Sequence, residues 1–131
     1  MAEMPLVAIV DDDKSIRNAT SDLLKAAGFT PAAFEDAESF LEWPTRAGVA
    51  CLVADMRMPG MSGLELYEAL IAAGHAIPTV IITAHPEETT QSRARAAGIC
   101  CYLSKPFSPE DLLACVGEAL ARSQSGPIPR S

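Results

Sequence analysis

Positive charge is scarce in this chain. Ten Lys and Arg face seventeen Asp and Glu, a formal net charge of −7 over 131 residues. A domain that grips nucleic acid by its phosphates needs a basic face, and anionic membrane surfaces make the same demand, so the composition argues against both partners. Long hydrophobic runs are also missing: none approaches the roughly 20 apolar residues of a membrane span. The Met-Ala-Glu-Met-Pro start lacks the basic-then-apolar order of a secretory leader. Histidines number two and cysteines four (Cys51, Cys100, Cys101, Cys115), with no C-x-x-C among them. That spacing gives little support for zinc, and the thiols read as small buried hydrophobes in a reducing cytoplasm. Cys100 and Cys101, if both lie on a strand, point to opposite faces. Neither G-x-G-x-x-G nor G-x-x-x-x-G-K-[ST] occurs, which removes dinucleotide binding and Walker-type nucleotide hydrolysis. Apolar residues make up 49%. One ordinary folded domain, rather than a disordered chain, is the expectation.

What is present is a rhythm. Ala-Ala-Gly28, Arg-Ala-Gly48, Ala-Ala-Gly74 and Ala-Ala-Gly98 each read as a helix end with a left-handed glycine before a strand. The unequal intervals exclude a solenoid and suit successive βα units. Leu6–Val10, Leu52–Ala54 and Val80–Ile82 are continuous apolar runs, the pattern of strands covered on both faces. Pro31–Phe34 and Ile99–Leu103 are weaker and suit sheet edges. The first helix carries Ile16, Ala19, Thr20, Leu23, Leu24 and Ala27 as its stripe. Asp36 starts a second helix that stops near Trp43-Pro44. Ser62 with Glu65 makes a capping box for a third, bearing Leu66, Tyr67, Leu70 and Ile71. A fourth, from His85 to Ala97, has little but alanine to bury and is expected to be among the less stable elements. Ser108-Pro109 opens a fifth, with Leu112, Leu113, Val116 and Leu120. The sum is an α/β domain of five βα units in a three-layer sandwich, with its site at the carboxyl ends of the strands.

Those ends hold the informative acids. The first strand runs into Asp11-Asp12-Asp13, the third into Asp55, the fourth into Thr83-Ala84 and the fifth into Ser104-Lys105-Pro106. Taken singly, each is a cap, a loop acid or a solvated lysine. Together they supply acid, acid, hydroxyl and amine to one crevice. Carboxylates from two strands suit Mg2+, and a hydroxyl and ammonium beside them suit a phosphoryl group in transfer. Asp55 can serve as the nucleophile, Asp11 and Asp12 as metal-binding groups, and Thr83 and Lys105 as partners of the phosphoryl oxygens. A phosphatase built on a nucleophilic Asp commonly has a second acid two residues on. Arg57 stands there, which argues against turnover of phosphoesters.

The motifs V-A-I-V-D-D-D (7–13), D-M-R-M-P-G-M-S-G (55–63), V-I-I-T-A (80–84) and Y-L-S-K-P-F (102–107) resemble the receiver domain of two-component response regulators, most of all the FixJ-like subgroup. The resemblance covers about residues 6–122. It implies a flavodoxin-like (βα)5 fold with a parallel five-stranded sheet ordered 2-1-3-4-5, a receiver domain over 1–123 and a tail or linker over 124–131. It implies a cytoplasmic bacterial signalling protein, not an enzyme acting on a separate substrate. Asp55 would accept a phosphoryl group from a histidine kinase. Asp12 would ligate Mg2+ directly, Asp11 mainly through water, and the Arg57 carbonyl would be a third ligand. Thr83 and Tyr102 would form the switch, Lys105-Pro106 a cis peptide, and Asp13 the cap of the first helix. Ala84 would keep the site open to the kinase, and Arg57 and His85 would tune the lifetime of the phosphorylated state. The surface of the fourth helix, fifth strand and fifth helix would control output, through homodimerisation or release of an effector on phosphorylation. Two outputs stay open: transcription through a C-terminal helix-turn-helix domain, or a stand-alone receiver acting by protein contact or as a phosphate shuttle. A receiver excised from a hybrid kinase is a third.

Overall fold

The computed structural model describes residues 5–43 and 48–125, with side chains described as far as residue 121. Strands and helices alternate: β1 (Leu6–Val10), α1 (Lys14–Ala26), β2 (Thr30–Phe34), α2 (Ala37–Glu42), β3 (Cys51–Asp55), α3 (Gly63–Ala72), β4 (Thr79–Thr83), α4 (Glu88–Ala97), β5 (Cys101–Ser104) and α5 (Pro109–Ser125). The five strands form one parallel sheet in the order β2-β1-β3-β4-β5. Parallel strands need a crossover between them, and the helices supply it. Every residue of β3 and β4 is buried, as is β1 after Leu6, because helices cover both faces of the sheet. The edge strands β2 and β5 are only partly covered.

Strand alternation splits the core in two. Ala8, Val10, Leu52, Ala54 and Ile81 face α2, α3 and α4, meeting Phe40, Leu66, Leu70 and Ala94. Val7, Ile9, Cys51, Val53, Val80 and Ile82 face α1 and α5, meeting Leu24, Leu112, Val116 and Ala119. Each fully buried Leu or Ile contributes about 1.5–3 kcal/mol.

Helix ends follow the local chemistry. Asp13 caps α1 by accepting from the amides of Ser15 (2.9 Å) and Ile16 (3.3 Å). Asp36 caps α2 through Ser39 N–H at 2.8 Å, which holds its carboxyl below the usual range. The Ser62–Glu65 capping box of α3 is complete. Ser108 Oγ accepts from Asp111 N–H at the start of α5. Gly28, Gly74 and Gly98 take positive φ after their helices. The helix end expected before Gly48 falls in 44–47, outside the described residues.

Several boundaries and faces differ from expectation. β5 starts at Cys101 rather than Ile99, so Cys100 precedes the strand. α4 starts at Glu88, not His85; Glu87 in the cap position makes no side-chain cap bond, and Ala94 is the buried residue of the helix. In α1, Thr20 and Leu24 are buried, while Ala19 and the C-cap Ala27 are exposed. Ala19 instead lines a recess of about 270 Å³ with Ile16, Leu23, Pro106 and Phe107. α5 continues to Ser125, beyond the boundary placed at residue 123; residues 126–131 lie outside the described residues.

Candidate functional site

β1 and β3 are central neighbours, paired so that Val10 lies beside Ala54. Their next residues, Asp11 and Asp55, therefore leave the sheet side by side. Ligand oxygens of Asp11, Asp12 and Asp55 lie within 4.8 Å of one another. Asp11 is fully buried, Asp55 is 5% exposed and Asp12 is exposed. Lys105, just past β5, reaches across with its Nζ 3.2 Å from Asp11 Oδ2 and 3.5 Å from Asp55 Oδ2. The Lys105-Pro106 bond is cis, as the resemblance implied.

Backbone donors complete the frame. Asp11 Oδ1 accepts from Asp13 N–H at 2.9 Å, and Asp55 Oδ1 from Arg57 N–H at 3.4 Å. Arg17 Nη1 donates to the Asp11 carbonyl at 2.6 Å and ties α1 to the end of β1. Asp11 Oδ2 has the Lys105 charge beside it but no directed hydrogen bond among the described residues. A buried carboxylate oxygen in that condition retains a lone pair for a hard cation.

The electrostatics are those of two acids and one base in a tight space. Burial and the Asp11 carboxylate push Asp55 up to about 6, against the opposing pull of Lys105 and the Arg57 amide. Burial alone lowers Lys105, but the Asp11 and Asp55 carboxylates outweigh it and hold the ammonium above its ordinary value. Lys105 stays charged throughout the neutral range.

The remaining expected residues sit around this cluster. Thr83 is buried at the end of β4, and its Oγ1 accepts from His85 N–H at 3.1 Å. Tyr102 pairs in register with Ile81, so Thr83 and Tyr102 share the sheet face that α4 covers. The Tyr102 hydroxyl is buried without a hydrogen-bond partner among the described residues. The Arg57 side chain is exposed and leans toward Glu87 at 3.5 Å, at the entry to α4. The His85 side chain is exposed. Asp11, Asp12, Asp55 and Lys105 are thus brought together, Thr83 borders them, and Tyr102 lies further along the same face.

Two residues were not singled out from sequence. One is Arg17, whose contact is with a backbone atom and leaves no motif. The other is Gly63: a Cβ there would lie 2.5 Å from the Asp55 carbonyl and 3.0 Å from Ile81 Cδ1. Its N–H also donates to the Met56 carbonyl. Gly63 sits inside the quoted 55–63 motif, which was the available signal.

Residues 7–117 match the family model described as the response regulator receiver domain. Among curated proteins, the chain is 32% identical to the transcriptional regulatory protein FixJ of Bradyrhizobium diazoefficiens, covering 90% of this chain and 58% of that protein. It is 36% identical to the response regulator protein TmoT of Ectopseudomonas mendocina, covering 88% and 52%. The chain therefore spans a little over half the length of these relatives. Among solved structures, the response regulator StyR superposes with a TM-score of 0.83 at 45% identity, covering 90% of this chain and 60% of that one. FixJ-N superposes at 0.81 and 31%, covering 93% and 97%. With the sheet order, the aspartate crevice and these likenesses in agreement, the chain belongs to the response regulator receiver domain family.

Proposed function

We propose that Asp55 accepts a phosphoryl group from the phosphohistidine of a sensor kinase and that the modified domain switches an output, most plainly transcription. The observation that carries this reading is the grouping of three carboxylates from β1 and β3 with the Lys105 ammonium, 3.2 and 3.5 Å from Asp11 and Asp55. Mg2+, held by Asp11, Asp12, Asp55 and the Arg57 carbonyl, would neutralise the acids and the incoming phosphoryl oxygens.

The chain's own residues supply the rest. Rigid placement at the end of a fully buried central strand presents an Asp55 oxygen to phosphorus. That oxygen forms the new P–O bond while the P–N bond to the donor imidazole breaks, and the imidazole leaves with the bonding pair. Lys105 moves its ion pair from the Asp55 carboxylate to a phosphoryl oxygen. Thr83 exchanges its contact with the His85 amide for another phosphoryl oxygen. The new group adds about −1.5 to −2 charge at neutral pH, which favours that exchange. Withdrawal of Thr83 opens space for Tyr102 along the same sheet face. α4, with Ala94 as its buried anchor, repositions with it.

The name of FixJ as a transcriptional regulatory protein supports a transcriptional output, delivered by a helix-turn-helix domain elsewhere in the protein and assisted by homodimerisation. This domain itself makes no specific contact with DNA. Incubation with Mg2+ and a small phosphoryl donor, followed by intact-mass measurement, tests the core of the proposal. The chain is expected to gain one phosphoryl group and Asp55→Asn none. Equal labelling of the variant would remove Asp55 as acceptor.

A further inference from the structure

At the opposite ends of the strands from the aspartate crevice lies a second group of ligand side chains. Cys101 is the first residue of β5 and Cys100 immediately precedes it. Cys115 and Glu118 are three residues apart in α5, so they share one face of that helix. The Cys100 and Cys101 thiols and a Glu118 carboxylate oxygen all lie within 4.8 Å of one another. The Cys101 thiol donates to Glu118 Oε1 at 3.3 Å, and the Cys115 thiol lies beside it. Because Cys100 lies before the strand, the two neighbouring thiols do not diverge as strand alternation requires.

We propose that Cys100, Cys101 and Glu118, with Cys115 beside Cys101, form a binding site for one thiophilic divalent cation of the Zn2+ class. The donor set selects the ion. Thiolates favour zinc over magnesium or calcium, and the single carboxylate completes a mixed sulphur–oxygen set. The geometry is near the required one. A tetrahedral zinc with bonds of about 2.3 Å to sulphur and 2.1 Å to oxygen has S···O and S···S edges of about 3.6 and 3.8 Å. The 3.3 Å Cys101–Glu118 contact is close to the first of these. Cys100 and Cys101 are partly exposed and Glu118 is exposed, so an ion reaches the site without opening the core. Cys115 is buried beside Cys101 and stands outside that set of three, next to the open side of the site.

Each thiol that ligates gives its proton to solvent as the metal–sulphur bond forms. Burial and the neighbouring Cys115 and Glu118 side chains hold the Cys101 thiol well above its ordinary pKa, and burial also raises Cys115. Affinity therefore rises with pH. Bound, the ion clips the start of β5 to the middle of α5.

Titration of the reduced chain with Co2+ tests the site through thiolate-to-cobalt charge-transfer absorption, followed by displacement with Zn2+. The charge-transfer band is expected to saturate at one equivalent bound to the thiols, and to be lost on adding Zn2+. Cys101→Ser is expected to abolish the band. Removing the direct ligand in Glu118→Gln should weaken binding by at least the roughly tenfold seen for outer partners of metal sites. Asp55→Asn should bind as the parent does. Glu118 is an exposed helix residue, so its variant decides the question even if Cys101→Ser fails to fold. No charge-transfer band, unchanged affinity in Glu118→Gln, or loss of the band in Asp55→Asn would overturn the proposal.

Discussion

Replacing Asp55 by Asn should stabilise the domain at neutral pH in the absence of divalent cations. The Asp55 carboxyl is raised from 3.8 to about 6, first by burial and then by the Asp11 carboxylate. A raised acid binds its proton more tightly in the folded state than in the unfolded chain. Its contribution to stability is complete below about pH 4 and is lost as pH rises through about 6. Asn imitates the protonated acid and keeps the neutral form at every pH. Two pH units at 1.36 kcal/mol each set an upper figure of about 3 kcal/mol, and readjustment of Asp11 and Lys105 reduces it to about 1–3 kcal/mol. At about 4 °C per kcal/mol for a domain of this size, Tm rises by about 4–12 °C at pH 8. Urea unfolding of both proteins at pH 4, 6 and 8 in a chelating buffer measures the effect. The two should be nearly equal at pH 4 and diverge above it. A difference independent of pH, or a variant less stable at pH 8, would refute the argument from buried like charge.

Lys105→Met leaves Asp11 and Asp55 without their shared cation; Asp55 should titrate above 6 by carboxyl NMR, and stability at pH 8 should fall by about 1–3 kcal/mol. Gly63→Ala drives a methyl group against the Asp55 carbonyl and should cost about 1–3 kcal/mol in denaturant melts, with phosphoryl uptake slowed as the acceptor strand shifts. The family resemblance assigns Arg57 and His85 to tuning the life of the aspartyl phosphate, so Arg57→Ala and His85→Ala should shorten it; unchanged decay in both variants would end that role.

The sheet was readable because its central strands are buried on both faces and so leave unbroken apolar runs. β1, β3 and β4 differ from expectation by at most a residue at each end. The aspartate crevice was readable for a related reason: Asp11, Asp12 and Asp55 are polar residues placed directly at the ends of those runs. What proved less readable depends on contacts between distant elements. Nothing local to Ala19 or Ala27 says that α1 turns them outward, since their spacing fits the buried stripe. The placement of Cys100 and Cys101 turned on where β5 begins, a boundary of two residues with a large effect on where the thiols point. The Cys101–Glu118 pair joins a strand to a helix in a way that no C-x-x-C pattern announces.

The weakly anchored fourth helix, which lacks a side-chain cap at its N-terminus, has a mechanical consequence. The sheet is stiff, with every residue of β3 and β4 buried, whereas α4 is held chiefly through Ala94. When a stiff body and a compliant one are loaded in series, nearly all the displacement goes to the compliant one. In the switch proposed above, a small movement of Thr83 at the end of β4 would thus be delivered to α4 without distorting the strands that carry Asp55. The same weak anchorage would keep the cost of resetting that switch low, with the core left folded.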